Sequence, residues 1–393
     1  MIPAALALKE VLGRAHQLGA ERVPLAAALN RILRDAAVAD ADSPPFDASA
    51  MDGYAACRAD LKQPLRVVGE VQAGSVFSRT VGAGECVRIY TGAPVPAGAD
   101  CVVKQEDVSR EGDTINILQL DGPDFIRRRG ENRRAGDTLV AAGTRLSPPE
   151  LAALASAGII EPLVSPAPRC VHLVTGNELV AAGQTPAGAQ IRDSNSTLIA
   201  ALLARHGGNL VGHAHARDDL AAARAAVEAL PTHDVLLISG GASIGEHDFA
   251  RPLLKALGYE LHFEQVNLRP GKPLVFASRG RQLAFALPGN PVSHWVTFHL
   301  FVAPLLRKLE TGTDATPPRL TGRLAPGAQP PPPDKRQTFW PCRATVVNGV
   351  YELAPLPLAS SGDSSGLVGA NALLPLPANS LDPAQPVEFI PCS

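Results

Sequence analysis

Residues 234–248 read DVLLISGGASIGEHD, and this stretch decides the fold of the central region of the chain. Residues 234–239 form an apolar run of the length expected for a buried strand, and a glycine-rich turn follows at once. Such turns often hold phosphates, but this one lacks the Gly-Lys-Ser/Thr ending of a P-loop. It ends instead in Glu246, His247 and Asp248. The stretch predicts an anion-binding strand end whose cation comes from another loop.

Strand-like and helix-like segments alternate on both sides of this stretch. Predicted strands cover 170–176, 209–216, 234–241, 273–278 and 282–289, and predicted helices cover 194–207, 218–230, 249–258 and 291–309, the last one bent near Pro304. Such alternation is typical of an α/β sandwich with a mostly parallel sheet. In these sheets ligands bind beyond the carboxyl ends of the strands.

The flanking regions have a different texture. Residues 3–35 carry apolar residues at helical spacing and predict helix, and the two prolines of 40–46 end it. Short β-prone runs from 54 to 137 predict an inserted β-rich domain. Ser147-Pro-Pro-Glu150 predicts a capping box and a helix to about 157, which we expect to join the N-terminal helices across that insertion. The proline-rich stretch 325–334 and the β-prone tail 319–393 predict a linker and a small β-barrel or sandwich.

Composition limits the partners. The 36 basic and 38 acidic residues give a net charge of -2, so we expect no nucleic-acid partner. No signal peptide and no run near the roughly 18 apolar residues of a membrane helix is present, so we expect a cytoplasmic chain without a membrane partner. The six cysteines are scattered, with no CxxC pair, which favours idle thiols over a zinc site.

Four loops of the α/β region come after, or between, predicted strands. They are TGNE (175–178), SGGASIGEHD (239–248), RPGKP (269–273) and LPGNPVS (287–293). Each alone is compatible with a tight turn. Gathered at one sheet edge, they offer backbone N–H groups, polar side chains and two cations, which suits a phosphate or another oxyanion. The predicted donors are Thr175, Ser239, Gly240, Gly241, Ser243, Asn290, Ser293, Arg269 and Lys272. The carboxylates Glu178 and Asp248 predict a divalent ion, Mg²⁺, or the placement of a water.

Other motifs leave two interpretations open. In IRDSN (191–195), Asp193, Ser194 and Asn195 can cap a helix, contact a ligand, or both. SAMDGYA (49–55) can be a hairpin turn. TGAPVPAGAD (91–100) can be a surface loop, or Thr91 can donate a hydrogen bond to a ligand. The arginines of IRRRGENRR (126–134) form a solvated face or a phosphate site.

The motifs occur together in a specific order. SAMDGYA, TGAPVPAGAD, RRRGEN, TGNEL, IRDSN, SGGASIGEHD, RPGKP and LPGNPVS follow one another at spacings that strongly resemble the MoeA / gephyrin E-domain family of molybdopterin molybdenumtransferases. Any one motif is weak, but the ordered set is specific. The resemblance runs from about residue 3 to about 310 and extends to the C-terminus.

The resemblance implies four subdomains: a helical linker domain (1–45 plus 138–167), an inserted β-rich domain (46–137), an α/β molybdopterin-binding domain (168–312) and a C-terminal β-barrel (318–393). It implies a homodimer whose cleft is formed partly by the other subunit. The implied activity is insertion of molybdate into adenylylated molybdopterin, with Mg²⁺ as cofactor and release of AMP. Implied further partners are the adenylyltransferase and molybdoenzyme chaperones.

The resemblance also implies roles for individual residues. Asp52, Glu178 and Asp248 are the catalytic candidates, and Glu178 and Asp248 are also the magnesium candidates. Thr91 and Asp218 join the substrate-binding set with Asp193 and Asn195. Arg269, Lys272 and Ser293 resemble an anion-binding group for molybdate or phosphate.

Three positions depart from the commonest family pattern. Asn177 and Asn132 stand where aspartate is common, which removes one charge each, and Arg269 stands where lysine is usual. Two rival functions remain: a molybdopterin adenylyltransferase, which shares the α/β domain, and a cofactor-binding scaffold. The additional β domain and the predicted barrel argue against the first. A scaffold should tolerate loss of Asp52 or Lys272.

Overall fold

The computed structural model of the chain describes residues 1–241, 249–376 and 385–392. Within these ranges, helices α1 to α7 run over Ala4–Arg14, Pro148–Ser156, Asn195–Arg205, Leu220–Glu228, Ala250–Ala256, Pro291–Thr297 and Ala303–Thr311. A π-helical segment, Phe298–Val302, connects the last two.

Strands β1 to β12 run over Glu21–Arg22, Ala37–Val38, Ala48–Ser49, Gly53–Ala56, Leu65–Val71, Glu85–Ile89, Cys101–Lys104, Val108–Glu111, Thr114–Ile117, Ile126–Arg127, Thr138–Val140 and Leu163–Val164. Strands β13 to β26 run over Arg169–Thr175, Leu179–Val180, Ile191–Arg192, Asn209–Ala216, Val235–Ser239, Glu260–Phe263, Leu268–Arg269, Val275–Arg279, Gln282–Leu287, Leu320–Leu324, Gln337–Val347, Val350–Pro355, Ala372–Leu376 and Val387–Pro391.

The chain folds as two compact units. The first unit contains Met1–Glu21, Asn30–Ile32 and Val164–Ser393, and the second contains Arg22–Leu29 and Leu33–Leu163. Helix α1 therefore belongs to the first unit and α2 to the second.

The second unit is built on a six-stranded sheet in the order β7-β4-β6-β5-β9-β8. Along β4 the side chains alternate, so that Tyr54 and Ala56 face one apolar cluster and Ala55 faces the other. Gly53 begins β4, where a Cβ atom would lie 1.9 Å from the carbonyl oxygen of Val103 on β7. Only glycine fits this close approach of two strands.

Helix α2 of the second unit begins with the predicted capping box. The carboxylate of Glu150 accepts a hydrogen bond from the backbone N–H of Ser147 at 2.9 Å, and Pro148 occupies the first helical position. These contacts satisfy backbone groups that the first turn of a helix leaves without partners. The prediction from residues 147–150 is confirmed.

The first unit contains a six-stranded sheet in the order β16-β13-β17-β21-β20-β18. The first four strands are parallel, and β20 and β18 are antiparallel. Val235 and Leu237 of β17 enter the apolar cluster on one face, and Leu236 and Ile238 enter the cluster on the other. Complete burial of each such side chain contributes about 1.5–3 kcal/mol. The sheet is covered on both faces, which explains why its central strand reads as a continuous apolar run.

Helices form the outer layers of this sandwich. Helices α1, α3, α6 and α7 contribute to the cluster that contains Leu237, and α4 and α5 contribute to the cluster that contains Leu236. The expected α/β sandwich with a mostly parallel sheet is confirmed. Among the described residues, none of the helices combines the length and the apolarity that crossing a bilayer requires.

The tail of the chain forms a closed barrel. Strands β23, β24, β22, β26 and β25 pair in this order, and β25 pairs back onto β23. β23 is long enough to serve both neighbours, since Thr338–Cys342 pair with β25 and Cys342–Val347 pair with β24. Strand β19, which comes from the α/β region of the chain, adds to β23 as a sixth strand. Of the two architectures expected for the tail, the barrel is the one observed.

One helix prediction was wrong in extent, and another helix has an internal π-helical segment. A helix was expected over 3–35, but α1 ends at Arg14 and Ala15 is extended. Gly19 and Pro24 lie beyond this end, and both disfavour helix. The helix expected over 291–309 contains a π-helical segment, Phe298–Val302, which ends directly before Ala303, the first residue of α7. Pro304 lies in the first turn of α7.

Candidate active site

Three parallel strands end side by side at one edge of the α/β sheet. Val174 of β13 lies opposite Ser239 of β17, and Ser239 lies opposite Leu287 of β21. The loops that follow these strands, 176–178, 240–241 and 288–290, are therefore adjacent. They line one side of a cleft with a volume of about 930 Å³. Three of the four predicted loops thus meet at the expected sheet edge.

Backbone geometry at the end of β17 requires glycine. Gly240 has φ +97°, and a Cβ atom there would lie 2.5 Å from the carbonyl oxygen of Thr175. The positive φ and the close approach both disfavour any larger residue. Strand ends β13 and β17 can therefore stay close together where they face the cleft.

Thr175 presents a polar atom without a partner. Its side chain is buried, it lines the cleft, and its Oγ1 atom has no hydrogen-bond partner among the described residues. A buried hydroxyl without a partner costs free energy unless a ligand or water satisfies it. Thr175 is therefore suited to contact a bound molecule.

The opposite side of the cleft comes largely from residues that the sequence did not single out. They belong to the tail: Gln329, Pro331, Pro332, Arg336, Trp340 and residues 356–361. Two hydrogen bonds connect the α/β loops to the tail. Nδ2 of Asn290 donates to Ser361 Oγ at 2.6 Å, and Val292 N donates to the carbonyl oxygen of Ser361 at 3.1 Å. The positions of these tail residues depend on closure of the barrel. Among these tail residues, only Trp340 had a local sequence signal, because the chain contains just two tryptophans.

The RPGKP loop brings cations to the cleft. Arg269 and Lys272 both line it, as predicted, and Arg336 joins them from the barrel. No partner for the ammonium group of Lys272 lies in the part of the chain that the structure describes. Arg269 and Arg336 instead both pair with Asp334. Lys272 is the cation of this group with its charge available to a ligand.

Ser239 is buried and does not expose its hydroxyl to the cleft. Its Oγ lies 2.7 Å from Nε2 of His172 and 2.7 Å from Nε2 of His294. Nδ1 of His294 lies 3.2 Å from the carbonyl oxygen of Asn290, which can only accept. His294 therefore donates from Nδ1, Ser239 donates to His294, and His172 donates to Ser239. Ser239 is absent from the cleft lining, so its hydroxyl serves this buried network.

Both imidazoles of this chain of hydrogen bonds are neutral near pH 7. Burial lowers the pKa of His172 to about 3 and the pKa of His294 to about 4, because a charged ring would lose its hydration. His172 keeps Nδ1 without a partner among the described residues. Neither histidine was among the predicted site residues.

The IRDSN segment combines capping with a contact to a cleft loop. Asp193 accepts a hydrogen bond from the backbone N–H of Ser196 at 3.0 Å, so the aspartate caps α3. Asn195 donates to the carbonyl oxygen of Gly289 at 2.8 Å. Asp193 and Asn195 are absent from the cleft lining itself, whereas Gly289 and Ser293 are part of it.

Two carboxylates line the cleft among the described residues. Glu178 follows β13, and Asp218 follows β16 with its backbone N–H 3.4 Å from Oδ1 of Asn177. In the described ranges no group of three or more His, Cys, Asp or Glu side chains could hold a metal ion. The predicted residues Ser243 and Asp248 lie outside the described residues.

Asp52 and Thr91 belong to the second unit and bind each other. The carboxylate of Asp52 accepts hydrogen bonds from Thr91 N at 2.8 Å and from Thr91 Oγ1 at 2.7 Å. The backbone hydrogen bond, followed by the hydroxyl, lowers the pKa of Asp52. Gly53 directly after it begins β4, so the SAMDGYA stretch forms the entry to a strand and fixes an ionised carboxylate.

The arginine run of the second unit is engaged by acidic neighbours. Arg128 pairs with Asp47 and Asp124, and Arg129 pairs with Asp42 at 2.7 Å. These pairs are exposed, which agrees with a solvated face.

All six cysteines are free thiols, as expected.

The fold and the cleft together define a multidomain α/β protein whose anion-suited cleft is completed by a C-terminal barrel. Three family models match consecutive parts of the chain: the MoeA N-terminal region (domain I and II) at 2–158, a probable molybdopterin binding domain at 172–308, and the MoeA C-terminal region (domain IV) at 327–392.

Individual relatives agree with these family models. A molybdopterin molybdenumtransferase from Nostoc sp. is 34% identical over 385 residues, which cover 92% of this chain and 86% of the relative. One from Haemophilus influenzae is 37% identical over 295 residues, covering 74% and 73%. The crystal structure of the molybdopterin biosynthesis MoeA protein from Pyrococcus horikosii matches with a TM-score of 0.83 at 30% identity, covering 100% of this chain and 99% of that one. The chain belongs to the MoeA family of molybdopterin molybdenumtransferases, and it is a transferase.

Proposed function

We propose that this chain transfers molybdenum from molybdate to adenylylated molybdopterin, with release of AMP. The observation that carries the proposal is the cleft of about 930 Å³, which brings Thr175 and the Gly240 turn together with Lys272 in a member of this family. Pockets of ~300–1,000 Å³ accommodate cofactor-sized ligands. A tetrahedral oxyanion alone would fill only a small part of that volume.

Lys272 is the residue we assign to the oxyanion. Molybdate is a dianion, and the phosphates of the second substrate are also negative, so the two repel each other. A cation with no described partner can offset that repulsion where the two meet. The dithiolene sulfurs of the substrate supply the metal-binding chemistry, and the protein supplies position and charge.

Glu178, Asp218 and Thr175 are the described residues that could hold Mg²⁺. They offer carboxylate and hydroxyl oxygens, the ligands that this ion prefers, and the unpartnered Oγ1 atom of Thr175 is suited to such a contact. A bound Mg²⁺ would neutralise phosphate charge. Asp248 remains a further candidate for metal binding or catalysis.

We further propose a cytoplasmic homodimer in which Asp52 of one subunit serves the cleft of the other. Co-expression of two differently tagged variants, Asp52→Ala and Lys272→Ala, tests this. At a molybdate concentration near the wild-type KM, each variant alone should have little activity, whereas a purified heterodimer would keep one cleft with both residues intact. Activity near half of the wild-type dimer is expected. An inactive heterodimer would show that both residues act within one subunit.

The main assay mixes purified protein, adenylylated molybdopterin, Mg²⁺ and molybdate. We expect molybdate-dependent AMP release and active cofactor, and we expect Lys272→Ala to raise the KM for molybdate. If neither product forms, the proposal is wrong. A second reaction with molybdopterin and ATP tests the adenylyltransferase alternative, for which pyrophosphate should appear instead.

A further inference from the structure

Strand β19 attaches the cation-bearing loop of the cleft to the barrel. Leu268 and Arg269 pair in parallel with Gln337 and Thr338 of β23. The chain then passes through Lys272 and enters β20 of the α/β sheet. Lys272 thus lies on a short connection between two sheets, and its carbonyl oxygen accepts hydrogen bonds from Val266 N at 3.0 Å and Leu274 N at 2.9 Å. The pairing of β19 with β23 is therefore one of the contacts that fix this connection.

Arg269 makes three contacts, all with the barrel region. Its Nη1 donates to the carbonyl oxygen of Pro332 at 3.1 Å and lies 3.5 Å from Oδ2 of Asp334. Its guanidinium carbon lies 5.8 Å from the centre of the Trp340 ring. This distance is within the range of a cation–π contact. The Arg269 side chain is 25% exposed.

Trp340 is itself fixed. Its indole N–H donates to the carbonyl oxygen of Leu356 at 2.9 Å, and the ring packs against the barrel core that includes Leu353 and Cys342. The guanidinium of Arg269 therefore rests on an indole whose orientation the barrel determines. Motion of Arg269 away from this ring would break all three contacts together.

Asp334 holds a second arginine as well. Its carboxylate accepts from Arg336 Nε at 3.0 Å and Nη2 at 2.9 Å, and from the backbone N–H of Arg336 at 2.8 Å. Arg336, and Arg269 more weakly, hold the pKa of Asp334 well below its usual range. The carboxylate stays ionised and offsets part of the charge of both guanidinium groups.

We propose that Arg269, Asp334 and Trp340 form a clamp that positions Lys272, and that Arg269 does not itself bind the oxyanion. Asp334 and Trp340 are positioning residues: they act on the ligand through Arg269 and the loop that it anchors. This assignment differs from the expectation that Arg269 is an anion ligand. Its kinetic part rests on the proposed function.

The chemistry of arginine fits the clamp better than that of lysine. A guanidinium is planar, so it can lie over an indole while its Nη1 reaches both a carbonyl and a carboxylate. An ammonium group is a point charge and cannot reproduce this geometry. The clamp thus gives a physical reason for arginine at position 269.

The test is Asp334→Asn, which keeps the size of the side chain and removes its charge. We expect the KM for molybdate to rise about tenfold with kcat within about twofold, because a loosened loop presents Lys272 in many positions. Hydrogen exchange in residues 266–275 should become faster, whereas that in 282–287 should not change. Glu352→Gln is the matched control, since it removes an ion pair between Glu352 and Arg323 elsewhere in the barrel. It should leave both measurements at the wild-type values.

Each other outcome overturns the clamp. An unchanged KM would mean that Asp334 has only a structural role, and a lower KM would mean that it competes with the oxyanion for an arginine ligand. If Asp334→Asn does not fold, Arg269→Lys replaces it, and an unchanged KM in that variant contradicts the proposal. If wild-type protein shows no molybdate-dependent activity, the proposed function fails by itself. Hydrogen exchange then decides the clamp alone, and unchanged exchange in 266–275 would overturn it.

Discussion

The hydroxyl of Ser239 lies 2.7 Å from Nε2 of His294, at the buried end of the strand that precedes the Gly240 turn. The same hydroxyl accepts a hydrogen bond from His172. Removing it would leave an acceptor on His294 and a donor on His172 without partners inside the protein.

We therefore expect Ser239→Ala to destabilise the protein by about 1–3 kcal/mol, the cost of leaving buried polar groups unpaired. Thermal and chemical denaturation measure it. Ser278→Ala is the comparison, because that half-buried hydroxyl pairs with a single imidazole, His262. A loss no larger than that of Ser278→Ala would contradict the importance of the buried network.

The pH dependence of stability tests the same network. His172 and His294 have pKa values below 6.5 in the folded protein, so the unfolded chain binds more protons as the pH falls below 6.5. Their contribution to stability is present above pH 6.5 and is lost as the pH falls towards about 4. Each such histidine makes this loss steeper by up to about 1.4 kcal/mol per pH unit.

Replacing His172 by glutamine should make the decline in melting temperature between pH 6.5 and pH 5 shallower than in wild type. His213→Gln is the control, at an exposed ring that is tilted by 42° to the His172 ring with centroids 5.3 Å apart. Equal slopes in wild type and His172→Gln would show that His172 is not kept neutral by burial.

Thr91→Val addresses the carboxylate of Asp52. The substitution removes the hydroxyl donor and keeps the backbone donor. The pKa of Asp52 should rise towards its ordinary value without reaching it, since the backbone hydrogen bond lowers it most. Carboxyl NMR titration measures this shift, and Thr91→Ser should restore the lower pKa. An unchanged pKa in Thr91→Val would show that the hydroxyl does not stabilise the ionised form.

Gly240→Ala tests the geometry of the strand ends. Its Cβ would meet the carbonyl of Thr175, and its backbone would need φ +97°, which costs about 1–3 kcal/mol for a residue other than glycine. We expect lower thermal stability together with a loss of activity. Gly289→Ala, on a neighbouring cleft loop, has no atom within 4 Å of the added Cβ. Equal stability of the two variants would contradict the close approach at Gly240.

The sequence predicted those parts of the site that depend on local pattern. Apolar runs predict β13, β17 and β21, and parallel strands bring their loops together, so Thr175, Gly240 and Asn290 lie where they were expected. Arg336 and Trp340 could not be placed, because they reach the cleft only through barrel closure between residues far apart in the chain. The burial of Ser239 was missed for a similar reason, since its two imidazole partners come from β13 and α6. The subdomain boundaries and the catalytic roles of Asp52, Glu178 and Asp248 stay predictions.

Strand β19 also bears on how the chain can be divided. It lies between strands of the α/β sheet in sequence, yet it hydrogen-bonds with β23 of the barrel. A fragment that stops near residue 312 would keep this strand without its neighbour. It would also lack the barrel residues Phe339, Leu373 and Ile390, which belong to the apolar cluster in which Leu268 is fully buried. Unpaired strand edges promote aggregation. Biochemical work on the α/β region by itself will therefore need the barrel, or a substitute for β23, to remain in solution.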